Sequence, residues 1–432
     1  MERTLAAQTT NLVGKKVRLA GWVDKRRDHG GLVFIDLRDR SGTIQIVAKK
    51  TIDVNPQDVV EVIGEVKKRP DGTENKKLPT GIVEVEAQEV KVISKAETLP
   101  FDMGGPELNL ELPTLLDWRA LSLRHPKIAS IFEMQEAIVE GFRKVAKDLG
   151  CTEVFVPTIV ASATEGGAEV FPLKYYEHTA YLAQSPQLYK QMMVPVFERV
   201  FAIAHAYRAE PSTTTRHLTE VVQLDIEAGF MEFSELLDML EQVGTETVKK
   251  AAKISFGKVP RLRLREAQEI ISKEFGRNVD EDDLSPQDEI DIYKWAEEKH
   301  KSDFVTITHF PTKNRAFYTM PDPADPSYSL SYDLLFRGLE IASGSQRINN
   351  RDNLVSAIEG RGMDPKNFEM YLQAFRFGMP PEGGFSFGLE RLTMQILGLS
   401  NIREASLFPR DMERVDVRLK AQSAKRRAQR SK

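Results

Sequence analysis

Residues 200–230 read VFAIAHAYRAEPSTTTRHLTEVVQLDIEAGF. Two runs, VFAIAHAYRAE and EVVQLDIEAGF, flank a polar loop of proline, serine and threonine, a pattern that predicts a pair of strands around a loop. Upstream, Pro126–Leu149 carries Ile128, Ile131, Phe132, Ile138, Val139, Phe142 and Val145 at helical spacing, which predicts one long amphipathic helix. A strand over Cys151–Val156 follows, ended by Pro157. Downstream, Glu232–Ala252 and Pro286–His300 predict helices and Tyr328–Ile341 a strand. Lys366–Phe377 and Phe385–Leu397 predict two more helices, the second behind a glycine-rich entry. Strands and helices mix without regular alternation, so the expected class is α+β.

The N-terminal hundred residues have another rhythm. VRLAGWV, LVFIDLRD and TIQIVAK alternate in polarity and are separated by DHGG and RSG turns. Val59–Val66 and Ile82–Ile93 add two strand-like runs around the loop KKRPDGTENKKLPTG. Five short strands suit a small barrel such as the OB-fold, and by pattern alone an SH3-like barrel or a plain hairpin sheet fits equally. TLPFDMGGPELNLELPTLLD, residues 98–117, reads as a linker. The expected divisions are a barrel over 1–100, a hinge over 101–120, a larger domain over 121–416 and a basic tail over 417–432.

Composition narrows the function classes. With 41% hydrophobic and 29% charged residues, the chain can bury a large core and is not expected to be disordered. One cysteine, Cys151, excludes an internal disulfide framework and a cysteine-based zinc site, and fits a reducing, cytoplasmic setting. The start MERTLAAQTTNL has no basic region followed by an apolar stretch, so no signal peptide is expected. No run of about 18 apolar residues predicts a membrane span. The net charge of −4 argues against a generic nucleic-acid-coating protein. Residues 1–100 nevertheless carry 18 Lys and Arg against 15 Asp and Glu, leaving the rest at −7, so the barrel is the part suited to meet phosphates. From Val417 the tail holds Arg418, Lys420, Lys425, Arg426, Arg427, Arg430 and Lys432 without an acid, and reads as a solvated end or an RNA contact.

Four clusters carry chemistry. Arg208-Ala209-Glu210, the loop, and Arg216-His217-Leu218 lead to Asp225 and Glu227; guanidinium forks in such an array match phosphate oxygens, although a hairpin with surface ion pairs would read the same. Gly383–Leu392 joins glycines, which admit a ligand close to backbone, to Glu390 and Arg391, with no Gly-Lys-Ser/Thr of a P-loop. Glu340–Arg347 reads EIASGSQR: a carboxylate and a hydroxyl freed by a turn at Ser343-Gly344 could hold Mg²⁺, or form a strand-end turn. Thr164–Glu169 and Gln184–Lys190 place Glu165 where it could reach an ammonium and Lys190 where it could meet a carboxylate.

Taken together and in order, ATEGGAEVFPLKYY (163–176), LAQSPQLYKQMM (182–193), YRAE (207–210), TTRHLTE (214–220), EIASGSQR (340–347), FRFGMPPEGG (375–384), GLER (388–391) and NIREASLFPRD (401–411) resemble the class II aminoacyl-tRNA synthetases. The resemblance is to the aspartyl enzymes of the compact archaeal-eukaryotic type and covers nearly the whole chain. Residues 228–339 look too short and regular for the large extra domain of the bacterial form. The resemblance implies an OB-fold barrel followed by an antiparallel sheet flanked by helices, assembled as a homodimer through Pro126–Leu149 and the strand after it. It implies L-aspartate, ATP with Mg²⁺, and tRNA(Asp), and leaves open whether tRNA(Asn) is charged as well; asparaginyl enzymes share the architecture, but Lys190 speaks against a neutral amide pocket, and a non-catalytic RNA-binding paralogue would be expected to lose one of Arg208, Glu340 or Arg391, all of which are present.

The residue roles implied are as follows. Arg208 would meet the α-phosphate and the substrate carboxylate, and with Arg391 would serve catalysis. Ala209, Glu210, Arg216, His217, Leu218, Glu340, Gly388, Leu389, Glu390 and Arg391 would contact ATP, with Glu340 and Ser343 at the metal. Glu165, Gln187, Leu188, Tyr189, Lys190, Arg208, Ser343 and Arg347 would bind aspartate. Phe34 and Gln45 would read the anticodon, with Arg26 beside them. Alternation supports Phe34 as exposed, since Val33, Ile35 and Leu37 make the better core face. The family's adenine-stacking aromatic is not found near Val221.

Overall fold

Alternation closes the N-terminal unit. β1 (Lys16–Asp28), β2 (Val33–Asp39), β3 (Gly42–Ala48), β4 (Val59–Lys68) and β5 (Val83–Ser94) form a closed barrel in the order β1-β2-β3-β5-β4. Its interior is a continuous set of Val, Leu and Ile side chains, with Val33, Ile35 and Leu37 of β2 all buried. Each such burial stabilises by about 1.5–3 kcal/mol before entropy is counted. The computed structural model describes residues 1–49, 51–162, 170–209, 214–254 and 256–419, and divides into Met1–Leu110 and Glu111–Lys432.

The barrel departs from simple alternation in the β4–β5 pair, where the register shifts twice, and in β1. A bulge in β1 falls between Val23 and Lys25, so that Arg26 lies opposite Ile35 and Arg27 opposite Phe34. One extra residue reverses the face of everything after it.

The second unit is built on an eight-stranded sheet, with a small three-stranded sheet beside it. Its strands in chain order are β6 (Thr152–Glu153), β7 (Ile159–Val160), β8 (Pro172–Tyr175), β9 (His178–Leu182), β10 (Arg199–Tyr207), β11 (Glu220–Gly229), β12 (Arg261–Arg263), β13 (Phe304–Thr308), β14 (Ser331–Phe336), β15 (Leu339–Gln346) and β16 (Glu382–Gly388). The large sheet runs β12-β13-β14-β15-β16-β11-β10-β6 and is antiparallel except at its two ends. Helix Pro126–Asp148 and helix Phe233–Ala252 cover one face, packing Ile138, Phe142, Leu236, Leu240 and Val243 onto Phe201, Leu224, Ile226, Phe385 and Phe387. Pro126 opens the first helix at a position that needs no N–H, with His125 capping Lys127 N at 3.3 Å. The other face of the sheet is left for the site.

Several elements differ from the sequence reading. Phe385–Leu397 is not one helix: Glu382–Gly388 is a central strand, and the helix covers Leu389–Leu397. The reason is alternation, since Phe385 and Phe387 point into the core while Gly384 meets the neighbouring strand so closely that a Cβ would lie within van der Waals radii of Ile226 O and the Glu227 carboxylate. Tyr328–Ile341 contains a hairpin, β14–β15, turned by Arg337 and Gly338, both at positive φ (49° and 78°). The strand after Cys151 shrinks to Thr152–Glu153, and Lys366–Phe377 divides into a 3₁₀ turn, Pro365–Phe368, and a helix, Glu369–Arg376. The helical turns Leu112–Asp117, inside the expected hinge, and Arg119–Ser122, across its end, belong to the second unit, where Arg119 donates to Leu407 O at 2.8 Å and Ser406 O at 2.6 Å.

Candidate active site

The face of β11, β15 and β16 opposite the two long helices floors a cavity of about 410 Å³. Side-chain alternation on β11 sends Leu224 and Ile226 into the core and Gln223, Asp225 and Glu227 to the opposite face. The cavity has two chemically distinct ends.

One end is a buried ionic lattice. The short helix Gln187–Met192 brings Lys190, 1% exposed, to Asp225 at 2.7 Å and Glu227 at 3.1 Å. Both Asp225 oxygens accept, the second from the Ser386 hydroxyl at 3.1 Å. Arg347, also buried, meets Glu227 at 2.7 Å, Ser345 Oγ at 2.6 Å, Gly384 O at 2.9 Å and Gln187 Oε1 at 3.3 Å. Burial lifts the Asp225 carboxyl above its ordinary range, against the pull of Lys190. Burial would lift Glu227 too, but Arg347 and then Lys190 hold it below. Lys190, Arg347, Gln187 and Ser343 line the cavity. Leu188 does not: it packs with Val194, Phe317 and Leu372. Tyr189 is likewise not on the cavity wall, because on so short a helix the face that carries Gln187 and Lys190 turns it away. Glu165 lies outside the described residues.

The other end gathers Arg208, Arg216, His217, Glu340 and Arg391. Arg208 leaves the end of β10, where its N–H bonds Thr219 O at 2.9 Å. Arg216 is held by Glu289 of helix Pro286–His300 at 2.9 Å, and His217 Nδ1 lies 2.7 Å from Thr214 Oγ1. Burial, with Glu340 adding to it, pushes the Glu289 carboxyl up to about 7. Arg391 donates to Glu340 O at 3.0 Å and lies 3.3 Å from the Glu340 carboxylate. Glu390 accepts the Val222 N–H with both oxygens at 3.2 Å, and burial pushes its carboxyl up to about 7. Leu218, Val221 and Ile402 form an apolar wall, and Gly388 completes it. Leu389 packs into the core instead, since the first turn of its helix faces the sheet. Ala209 is not on the cavity wall, and Glu210 lies outside the described residues.

The expected turn at Ser343-Gly344 is absent, because β15 runs unbroken through it. A bulge does the work instead. Leu334 pairs with Ala342 and Leu335 with Glu340, so Ile341 is the extra residue. Ile341 and Ala342 both enter the core, and Glu340 and Ser343 emerge on one face. This oxygen-donor pair suits Mg²⁺, which binds through one or two carboxylates, keeps waters and shares substrate phosphates. No group of three His, Cys, Asp or Glu side chains among the described residues forms a metal cage, so an ion here relies on Glu340, Ser343 and substrate oxygens.

Sequence reasoning missed Arg315 and Asp333. Arg315 clamps Asp333 with bonds of 3.1 and 2.7 Å and donates to Ser343 Oγ at 3.1 Å. Asp333 lies opposite Ser343 in the ladder, a signal readable once the hairpin is known, whereas Arg315 lies in a loop with none. Asp225 and Glu227 are spaced by two on β11 and so share a face, a signal present in the sequence once that run is read as a strand.

On the barrel, Phe34 lies on the outer face with its ring 5.6 Å from that of His29. Gln45 donates to Glu84 at 2.9 Å and accepts from Arg27 at 3.4 Å, and Arg27 pairs with Asp36 at 2.8 Å. The cation that shares a face with Phe34 and Gln45 is therefore Arg27, not Arg26. The bulge at Asp24 turns Arg26 to the Ile35 side, where it pairs with Asp28 at 2.9 Å.

Comparison with known proteins converges on the same two units. The model for tRNA synthetases class II (D, K and N) matches residues 111–412, and that for the OB-fold nucleic acid binding domain matches residues 17–93. The chain is 40% identical to the aspartate--tRNA(Asp/Asn) ligase of Aeropyrum pernix, over 95% of this chain and 98% of that one. It is also 40% identical to the ligase of the same name from Thermus thermophilus, over 96% and 99%. Among solved structures, asparaginyl-tRNA synthetase from Pyrococcus horikoshii with asparaginyl-adenylate superposes with a TM-score of 0.85 at 33% identity, covering 96% of this chain and 99% of that one. Aspartyl-tRNA synthetase from Entamoeba histolytica gives 0.82 at 30%, covering 96% and 93%.

Proposed function

The chain belongs to the class II tRNA synthetases (D, K and N), and from that premise we propose that its cavity joins L-aspartate to ATP and passes the aspartyl group to tRNA(Asp) and to tRNA(Asn). One observation carries the choice of reaction: a single cavity has buried Lys190 and Arg347 at one end and Arg208, Arg216, His217 and Arg391 at the other. The first end suits a small carboxylate side chain, the second a polyphosphate.

The substrate α-carboxylate attacks the α-phosphorus, pyrophosphate leaves, and a terminal ribose hydroxyl of tRNA then displaces AMP. No side chain acts as nucleophile, so the protein's part is positioning and charge stabilisation. Arg208 is suited to meet the charge that develops where carboxylate and α-phosphate join. Arg216 and His217 suit the outer phosphates, with Arg216 leaving Glu289 to do so. Leu218, Val221 and Ile402 offer adenine an apolar wall, without a stacking ring. Glu340 and Ser343 would hold Mg²⁺, which when bound offsets phosphate charge. Phe34, Gln45, Arg27 and Glu84 present a ring and polar edges on the outer barrel face, the chemistry by which unpaired anticodon bases are stacked and read.

A second copy of this chain is the proposed partner. Phe155, beside β6, is 91% exposed, an apolar surface of the kind a homodimer covers. Among the described residues no helix is long and apolar enough to cross a membrane, and the proposed place of action is the cytoplasm.

The test is aspartate-dependent pyrophosphate exchange, followed by charging of purified tRNA(Asp) and tRNA(Asn). Exchange with asparagine but not aspartate would replace this reading by the asparaginyl one. Charging of tRNA(Asp) alone would remove tRNA(Asn) from it. Sedimentation showing an active monomer at micromolar concentration would remove the dimer.

A further inference from the structure

We propose that Glu382, which does not reach the cavity, is held as a neutral carboxylic acid donating its proton to Glu227, and that this neutrality sets the charge of the aspartate subsite. The inference rests on the aspartate reading above and deepens it.

The hydrogen-bond order fixes the proton. Tyr371, on helix Glu369–Arg376, donates its hydroxyl to Gln191 Oε1 at 2.9 Å. The amide nitrogen of Gln191 therefore faces the other way and donates to Glu382 Oε1 at 2.8 Å. That oxygen is an acceptor. Glu382 is fully buried, and its Oε2 meets no protein donor among the described residues. In the ladder of β11 and β16, Glu227 lies opposite Gly384 and Glu382 opposite Gly229, so the two glutamates are diagonal neighbours on one face and their carboxyls meet. Glu227 already meets two cations, with Oε1 on Arg347 at 2.7 Å and Oε2 near Lys190 at 3.1 Å, Arg347 at 3.3 Å and Gln187 at 3.4 Å, so Oε1, with one donor, is the oxygen left to accept a proton from Glu382. Two ionised carboxylates cannot face each other in a dry interior, so one carries the proton. The one with two cations stays ionised, and the one with a single neutral donor takes it. In agreement, burial and the Glu227 charge lift the Glu382 carboxyl well above its ordinary range.

Counting charges shows the consequence. The groups facing this pair are Lys190 and Gln191 from helix Gln187–Met192, Arg347 after β15, Tyr371 from its helix, and Tyr332 of β14. Neither phenol is ionised, since burial raises both. Two cations, Lys190 and Arg347, then balance two anions, Asp225 and Glu227. An aspartate side chain brings one further negative charge into this balanced set. If Glu382 were ionised, three buried carboxylates would already outnumber the two cations, and like charge at this range opposes entry of another. Glu382 is thus a positioning residue: it touches no substrate, but it holds Glu227 and through it Arg347.

Three proteins decide the matter: wild type, Glu382→Gln and Glu382→Met. The glutamine amide accepts from Gln191 and donates to Glu227 as the acid does, and it cannot ionise. The methionine keeps volume and loses both bonds. The readouts are KM for aspartate and KM for ATP in pyrophosphate exchange. Expected is a KM for aspartate within about threefold of wild type for Glu382→Gln, and a rise on the order of tenfold or more for Glu382→Met with KM for ATP little changed. A rise on the order of tenfold in Glu382→Gln shows that Glu382 works as an anion and overturns the proposal. So does an unchanged KM for aspartate in Glu382→Met. If Glu382→Met does not fold, Glu382→Gln decides alone. A wild-type chain inactive with aspartate refutes the functional reading itself, and this inference with it.

Discussion

Replacing Lys190 by methionine separates the two jobs assigned to the buried cations. Lys190 is 1% exposed and sits 2.7 Å from Asp225 and 3.1 Å from Glu227, which are equally buried. Removing one member of a buried ion pair leaves an uncompensated charge, a loss of ~3–5 kcal/mol. The loss falls unevenly. Glu227 keeps Arg347 at 2.7 Å, whereas Asp225 keeps the Ser386 hydroxyl at 3.1 Å. Adding Asp225→Asn to Lys190→Met should therefore recover ~1–3 kcal/mol, because an amide needs no counter-ion and still accepts from Ser386. Activity should behave differently. Loss of a desolvated charge contact to the substrate carboxylate is worth ~2–5 kcal/mol, so kcat/KM in aspartate-dependent exchange falls roughly 30- to 5000-fold. The second substitution should not restore it. Urea unfolding of the single and double variants measures the first quantity, and exchange at saturating ATP measures the second. A Lys190→Met protein within about 1 kcal/mol of wild type would refute the buried lattice. A destabilised variant whose folded fraction keeps the wild-type KM for aspartate would refute the substrate role.

Three further outcomes follow from the same geometry. Glu340→Gln should cost little stability, since the carboxylate is a third exposed and its pair with Arg391 at 3.3 Å is worth ~1 kcal/mol or less; exchange measured across Mg²⁺ concentrations should nevertheless fall severely, and wild-type exchange would make Glu340 structural. Phe34→Ala should weaken tRNA charging by roughly 5- to 150-fold, the equivalent of ~1–3 kcal/mol for one stacked base, while exchange without tRNA stays near wild type; equal loss of both would show that the ring supports the barrel. For Glu390, the folded carboxyl stands near 7 because of burial, above its ordinary value of 4.5. Its stabilising contribution is therefore fully present below pH 4.5 and is lost as pH rises through about 7, by up to ~3 kcal/mol. Glu390→Gln should flatten unfolding free energy over that window, and an unchanged slope would show that Glu390 is ionised in the folded protein.

What the sequence shows and what it hides divide along one physical line. Alternation and helical period depend on a segment alone, and those readings placed the barrel strands and the helix from Pro126. A bulge depends on the partner strand, and bulges settle two side-chain placements that alternation alone does not give. In β1 the extra residue beside Val23 exchanges Arg26 for Arg27 on the face of Phe34. In β15 the extra residue Ile341 brings Glu340 to the face of Ser343, which simple alternation would have kept on opposite sides. Glycine misleads for a related reason. In Gly383-Gly384-Phe385-Ser386-Phe387-Gly388 it reads as a loop before a helix, but here the missing Cβ is what lets a central strand approach Ile226 and Glu227. Without that approach Glu227 could not lie between Arg347 and Lys190. Nor could β16 carry Glu382 at its start and Ser386 within it to the same ionic lattice. The cations of the cavity were legible as residue types, because arginine and lysine beside a glycine-rich segment suggest an anion. Their neutralisation was not, since it requires three strands and a short helix to meet: Lys190 from the helix, Asp225 and Glu227 from β11, Arg347 from the end of β15 and Ser386 from β16.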